Sequence, residues 1–306
     1  MGMVLRPRRG MVLSLMGMAG LRGRLGPRTI LANSLFSIIE RVTLRSSIAS
    51  RTFIIKSSSL PMQNEGAALY WVGQHIVSAA HLLAAESHER GEWILMTDAH
   101  HSPIDPANEQ QVSEMAQRIG LFHSLTLGYP FPTLHPYDAG HWGSQQAGLF
   151  ERLERLNLIP KGDPDFQRAL VRTFDTLMEM LEQLTPEHFA MVHGDLDVNN
   201  LVVTDMGTQA LDWGLARVDV PMVDLAHLLA SARLNRAAKE RVATIYFDTL
   251  EGEWPFDRDT LRRLGSLLYH LYFVEWHSRA IVQGLVSETL FYQDIVTRLH
   301  SLAHAF

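Results

Sequence analysis

The chain has 306 residues, 46% of them hydrophobic and 20% charged, with a net charge of −6 and no cysteine. That length accommodates two lobes and a large core, the lack of cysteine excludes disulfides and thiolate-held metals, and the acidic balance argues against a general nucleic-acid binder. No run approaches the roughly 18 consecutive apolar residues of a membrane span, so neither nucleic acid nor membrane is an expected partner and a cytoplasmic location is expected.

Residues 1–28 stand apart in composition. Six arginines and no acid fall within residues 1–30, which leaves about −12 on the rest of the chain, and five of the 13 methionines fall within the first 18 residues. RPRRG followed by MVLSLMGMAGL faintly resembles the charged and apolar regions of a signal peptide, but the apolar stretch is too short to span a membrane. The expectation is a flexible extension or a start assigned too early; export or organelle targeting is the alternative.

From residue 29 the β-branched and aromatic content rises. SLFSIIERVTL and RTFIIK read as strands joined by the Ser-rich turn RSSIAS. NEGAALYWVGQHI and the following VSAAHLLAAESHER have helical spacing, and EWILMTD reads as a buried strand. Residues 29–98 therefore form an N-terminal lobe built on a small sheet. AHHSPIDPANEQ, at 99–110, carries two prolines and reads as a hinge or connector. Residues 111–306 are mostly helical: QQVSEMAQRIGLFHSL is one helix, DFQRALVRTFDTLMEMLEQL is a longer one stopped by TPEH, and four or five more follow residue 222. The stretch 191–213 is the exception, with short apolar runs broken by polar groups and a hairpin turn at TDMGT, where Gly supplies the positive φ. The class is α+β.

MVHGDLDVNN, at 191–200, places one His, two Asp and two Asn between apolar runs. Buried polar groups need partners, so this framing suits an active-site loop between two core strands. Asp195 follows the first strand. Asn200 lies five residues on, and Asp212 ends the return strand of the hairpin. The hairpin brings Asn200 and Asp212 to one end, beside Asp195. Two oxygen ligands and a nearby carboxylate suit Mg²⁺, which prefers hard donors and usually binds substrate phosphates as well. The spacing matches the phosphoryl-transfer pattern of a catalytic Asp, an Asn five residues later and a metal-binding Asp after a strand. The bland alternative is a polar hairpin with capping acids.

HGDLDVNN, then LDWG, then PMVDLAHLL resembles the aminoglycoside phosphotransferase and choline kinase branch of the protein-kinase-like fold. The resemblance implies a two-lobed molecule with a small β-rich N-lobe and a larger, mostly helical C-lobe. It implies Asp195 as catalytic base, Asn200 and Asp212 as Mg²⁺ ligands, and His193 and Asp224 as hydrogen-bonding supports of the catalytic loop. It calls for a strand Lys that holds the phosphates of ATP, and TFIIK supplies Lys56. Only three Lys stand against 24 Arg in this chain, so a Lys after FII is more informative than usual, although a snorkelling strand-end Lys has the same sequence. Glu65 is the implied partner of Lys56; a first-turn Glu favoured by the helix dipole is the competing explanation.

The stretch LANSLFSIIERV lies where a nucleotide-covering loop belongs and contains no Gly, leaving Ser34 and Ser37 as candidate phosphate contacts. Met96, Thr97 and Asp98 fall where hinge groups read adenine in this fold. Asp197 stands where protein kinases carry Lys, which argues against ordinary protein substrates. His100 and His101 read as solvated or hinge residues rather than metal ligands. Tyr269, Tyr272, Phe273 and Trp276 recur at helical spacing, as core packing does; His270, Glu275 and His277 share their helix, and the resemblance places late helices near the acceptor. The expected activity is ATP- and Mg²⁺-dependent transfer of the γ-phosphate to a hydroxyl of a small molecule. A non-catalytic nucleotide-binding relative is the first rival. A metal-dependent phosphohydrolase is the second, and it lacks a matching further cluster of acids or histidines.

Overall fold

A computed structural model describes residues 4, 6–34, 36–59, 65–75, 77–89, 91–98, 101–134, 136–159 and 163–305. In chain order the elements begin with helix α1 (Arg9–Met18) and strands β1 (Arg24–Asn33), β2 (Ser37–Arg45) and β3 (Ser50–Ser59). Helix α2 (Glu65–Val72), strands β4 (Leu82–His88) and β5 (Gly91–Thr97), and the short β6 (Ser102–Pro103) follow. Next come helices α3 (Glu109–Thr126), α4 (Ala139–Arg155) and α5 (Pro164–Glu182), then strands β7 (Ala190–Val192), β8 (Leu201–Thr204), β9 (Gly207–Ala210) and β10 (Arg217–Asp219). Helices α6 (Met222–Ser231), α7 (Arg236–Thr249), α8 (Arg258–Val282) and α9 (Glu288–Ala303) are the last described elements. The chain divides into two units: Met1–Phe122 with His193–Ala216 and Ala232–Asn235, and His123–Val192 with Arg217–Ser231 and Arg236–Phe306.

The first unit is built on an antiparallel sheet of order β1-β2-β3-β5-β4. Lys56 stands mid-sheet, opposite Ile39 on β2 and Ile94 on β5. Strand side chains alternate between faces. Phe53 and Ile55 accordingly join an apolar cluster with Val42, Leu44 and Leu95, while Ile54 and Lys56 line a cavity.

Composition marks residues 1–28 as a flexible extension, and the structure differs. Val12, Leu15 and Met16, spaced as one helical face, are at most 1% exposed and complete the cluster under Phe53 and Ile55. Strand β1 already begins at Arg24. Two of the arginines that give this stretch its basic look, Arg6 and Arg28, pair with Glu40, whose side chain is fully buried. Met1, Gly2, Met3 and Leu5 lie outside the described residues.

VSAAHLLAAESHER, helical by spacing, holds strand β4 instead. Alanine and leucine favour helix, but here the backbone of 82–88 pairs along β5 as the edge of the sheet, with a bulge between Leu82 and Ala84. Tertiary pairing outweighs the local preference. The β8–β9 hairpin forms as expected. Its turn is closed by Thr204, whose Oγ1 accepts from Met206 N at 3.0 Å. Backbone bonds from Ala210 N to Val77 O (2.8 Å) and from Ala79 N to Ala210 O (3.0 Å) tie the hairpin to the segment before β4.

The second unit is mostly helical. Asp163 caps α5 by accepting from Phe166 N, Pro164 opens the helix, and Phe166, Leu170, Phe174, Leu177 and Leu181 form its buried stripe. Strands β7 and β10 pair with Arg217 opposite Val192. Arg217 is buried with Asp219 (2.9 Å), its guanidinium 4.0 Å from the ring centre of Tyr272 and 4.8 Å from that of Tyr137. On α8, Tyr269 and Tyr272 are buried, as the aromatic stripe predicts. Among the described residues, no helix is long and apolar enough to cross a membrane.

Candidate active site

Lys56, Glu65, His193, Asp195, Asn200 and Asp212 all fall in the first unit. Val192 ends β7 and the chain turns at Gly194, whose φ of 81° lies in the region glycine adopts without strain. Asp197 N then donates to Asp195 O at 2.8 Å and Asn200 N to Asp197 O at 2.9 Å, which winds the loop tightly. The Asn200 side-chain amide donates to Asp195 O (2.9 Å) and Asp195 Oδ2 (3.1 Å), so its own oxygen is left as an acceptor. Leu211 N donates to Asn200 O at 2.8 Å, which sets Asp212 beside the loop.

Asp212 is one of two non-glycine residues with positive φ among those described, at φ 61° and ψ 66°. Such a conformation is costly for a residue with a Cβ, and here it aims the carboxylate at β3. Oδ1 of Asp212 lies 2.6 Å from Lys56 Nζ, and Oε2 of Glu65 lies 2.6 Å from the same nitrogen. The Lys56 side chain is 4% exposed but that of Asp212 is 41% exposed, so the Asp212 carboxylate remains reachable by a ligand.

The two carboxylates of the site are driven apart. Burial raises the Asp195 carboxyl above its ordinary range, helped by Asp197 and Asp212 and opposed by His193 and Asn200. Burial would raise Asp212 too, but the Lys56 ammonium outweighs it and holds Asp212 below the usual range. Burial alone would lower Lys56; Glu65 and Asp212 together raise it. The Asp195 carboxyl is thus biased toward holding a proton and the Asp212 carboxyl toward the anion.

His193 joins these parts. Its Nε2 donates to Leu211 O at 2.7 Å, and its Nδ1 accepts from Asp195 N at 3.2 Å. The ring lies against buried Trp213, with centroids 4.6 Å apart. Asp224 is placed in the second unit, fully buried on α6. It lies 3.2 Å from His123 Nε2, and His123 Nδ1 lies 2.9 Å from the Tyr246 hydroxyl.

Lys56, Glu65, Asn200 and Asp212 line a cavity of about 300 Å³ with Met96, Thr97 and Asp98. Its remaining wall is largely apolar, including Leu31, Ile39, Ile54, Leu69 and Leu211. Asp98 is also held by Arg41 in a two-bond pair of 2.6 and 3.0 Å. Ser34 and Ser37 are absent from the described lining. They close the β1–β2 hairpin instead: Ser34 Oγ accepts from Ser37 N at 3.0 Å and lies 3.1 Å from Ser37 Oγ. His101 reaches the cavity wall, whereas His100 lies outside the described residues. In the second unit, Glu275 accepts from Arg152 at 3.1 Å and pairs with Arg279, and burial lowers the pKa of His270 to about 4 with help from Arg298.

Asn200 and Asp212 offer an amide and a carboxylate oxygen, a hard donor set that fits Mg²⁺ when phosphate oxygens complete it. Among the described residues no group of three or more His, Asp or Glu is placed to hold a metal by protein ligands alone. Arg41, Glu92 and His123 were not visible as site or support residues in the sequence. A strand arginine, a strand glutamate and a helix histidine are common in any core or surface.

The model of the phosphotransferase enzyme family APH matches residues 40–264. No curated protein matches the sequence. Among solved structures, a candidate aminoglycoside phosphotransferase of Ralstonia eutropha is similar over 98% of this chain and 97% of its own, at 15% identity and a TM-score of 0.68. A choline/ethanolamine kinase family protein of Mesorhizobium loti is similar over 96% and 94%, at 16% identity and a TM-score of 0.63. An amicoumacin kinase solved with AMP-PNP and Ca²⁺ is similar over 96% and 93%, at 15% identity and a TM-score of 0.64. The fold is the protein-kinase-like one, an antiparallel sheet region followed by a helical region.

Proposed function

The chain belongs to the phosphotransferase enzyme family APH, and on that footing we propose that it moves the γ-phosphate of ATP to a hydroxyl of a small molecule. The observation that carries this reading is the gathering of Asp195, Asn200 and Asp212 in one unit with Lys56, three of the four on one cavity. Asp195 orients the acceptor hydroxyl and takes its proton on a carboxylate oxygen. Lys56 Nζ holds phosphate oxygens, and the Asn200 oxygen and the Asp212 carboxylate hold Mg²⁺. When bound, ATP supplies the phosphoryl group and Mg²⁺ neutralises its charge, which is where most of the catalysis in this chemistry lies. The relative solved with AMP-PNP and Ca²⁺ supports a nucleotide and a divalent cation as cofactors.

The test is transfer of labelled phosphate from ATP to a panel of small alcohols (amino sugars, amino alcohols, choline-like compounds), with Asp195→Asn as blank. Label on one acceptor with wild type and not with the blank is the expected result. A second reading, nucleotide binding without turnover, is favoured by the Gly-free turn in which the Ser34 and Ser37 hydroxyls face each other. It wins if wild type binds Mg–ATP tightly and labels no acceptor.

A further inference from the structure

Glu92 is a buried acid that the reaction leaves without a role. It is the second residue of β5, 2% exposed, opposite Ser58 on β3 and Ser87 on β4. Its Oε1 accepts from the backbone N–H of Glu65 at 2.8 Å and of Gly66 at 3.3 Å, and its Oε2 accepts from Gly66 at 3.3 Å. These N–H groups belong to the first described residues of α2, and amides in the first turn of a helix need partners from outside it. A carboxylate is well suited to that end of the helix dipole. This acceptor comes from a strand 27 positions downstream.

The approach is close enough to dictate a residue. A Cβ at position 66 would stand 2.9 Å from Ala85 Cβ and 3.0 Å from Glu92 Oε2, so glycine lets the helix end reach the sheet. Glu65 and Leu69 of the same helix line the cavity, and Glu65 holds Lys56. Helix α2 also packs on the turn Trp213–Leu215 that follows Asp212. Whatever fixes the start of α2 therefore fixes two of the charges around the phosphate site.

We propose that Glu92 is a positioning residue that clamps the start of α2 to β5 and so sets where Glu65 holds the Lys56 ammonium. The proposal rests on the reading in which Lys56 meets nucleotide phosphates. The charged groups facing Glu92 are Glu65 from α2, which repels it, and Lys56 from β3, which attracts it; β4 presents uncharged Ser87. Burial, then Glu65, push Glu92 up to about 7. Protonated or not, the group keeps an oxygen that accepts from the helix.

The experiment compares full-length wild type, Glu92→Ala, Glu92→Gln and Gly66→Ala, well below their melting transitions. Two quantities are read: Mg–AMP-PNP binding by calorimetry and hydrogen exchange of the segment 65–72. Removing a cap that holds a helix end predicts, for Glu92→Ala, exchange about tenfold faster and binding about tenfold weaker. Glu92→Gln keeps an acceptor oxygen and stays within about threefold of wild type on both readings. Gly66→Ala, with Glu92 intact, reproduces the Glu92→Ala behaviour. Wild-type exchange and binding in Glu92→Ala overturn the proposal, as does equal damage from Gln and Ala. If Glu92→Ala does not fold, Gly66→Ala decides, and wild-type behaviour in that variant overturns the clamp. If wild type itself does not bind AMP-PNP, the functional reading fails, and the exchange comparison still judges Glu92.

Discussion

The ammonium of Lys56 meets Oδ1 of Asp212 at 2.6 Å across 156 positions of sequence. The same nitrogen neutralises Glu65, so one cation stands between two acids. Removing the cation leaves both uncompensated, and removing Asp212 leaves Glu65 still paired. Lys56→Met should therefore destabilise the fold by about 3 kcal/mol or more, the scale of a broken buried pair, while Asp212→Asn costs much less. Urea midpoints measure both, and equal losses would show that the Lys56–Glu65 pair contributes little by itself.

Activity should rank these residues differently. Asp212→Ala removes a candidate cation ligand and should abolish divalent-dependent turnover with the fold intact. Asp195→Asn keeps the shape and removes the proton acceptor, which predicts a fall in turnover of roughly 10²-fold or more. The ATP dissociation constant should then stay within a few-fold. Unchanged phosphate transfer by Asp195→Asn would take Asp195 out of the base role.

The spacing of Asp195, Asn200 and Asp212 was legible because the chemistry is local: a loop and one hairpin bring the three together whatever the rest of the chain does. Lys56 was legible because lysine is rare here. Helix α1 and strand β1 were not, since a run of Met, Leu and Arg has the composition of a leader until Glu40 is seen to need its arginines. Strand β4 was hidden by its alanines, because pairing with β5 is not written in 82–88. Glu92 was hidden for another reason. Its partners are backbone N–H groups, which no residue type marks.

Because Val12, Leu15 and Met16 belong to the core, residues 1–28 should not be dispensable. Leu15→Ala should cost about 2–5 kcal/mol, the range of a large-to-small change at a buried site. A chain beginning at Thr29 loses α1 and half of β1 and should melt without a cooperative transition. Wild-type melting of that shortened chain would show that α1 adds nothing to the sheet.

Glu92 makes stability depend on pH. Its folded-state pKa of about 7 lies above the ordinary 4.5, so the folded form holds the proton that the unfolded form has released. Stability should fall as pH rises from about 4.5 to 7 and stay flat above, by on the order of 3 kcal/mol for this group alone. Glu92→Gln removes that slope, so the gap between variant and wild type should shift in favour of the variant between pH 5 and pH 8. Parallel denaturation curves for the two proteins at both pH values would refute it.

The pairing of Lys56 with Ile39 and Ile94 means that the lysine that meets Asp212 is placed by strand phase. A slip of one residue in β3 would exchange the two faces of the strand. Lysine would then enter the apolar cluster and Ile55 would face the cavity. Such a slip would break up the apolar cluster that Phe53 and Ile55 share with Val12, Leu15 and Met16 of α1. The helix whose composition looks most like a detachable leader thus belongs to the apolar layer that tells the two faces of that strand apart.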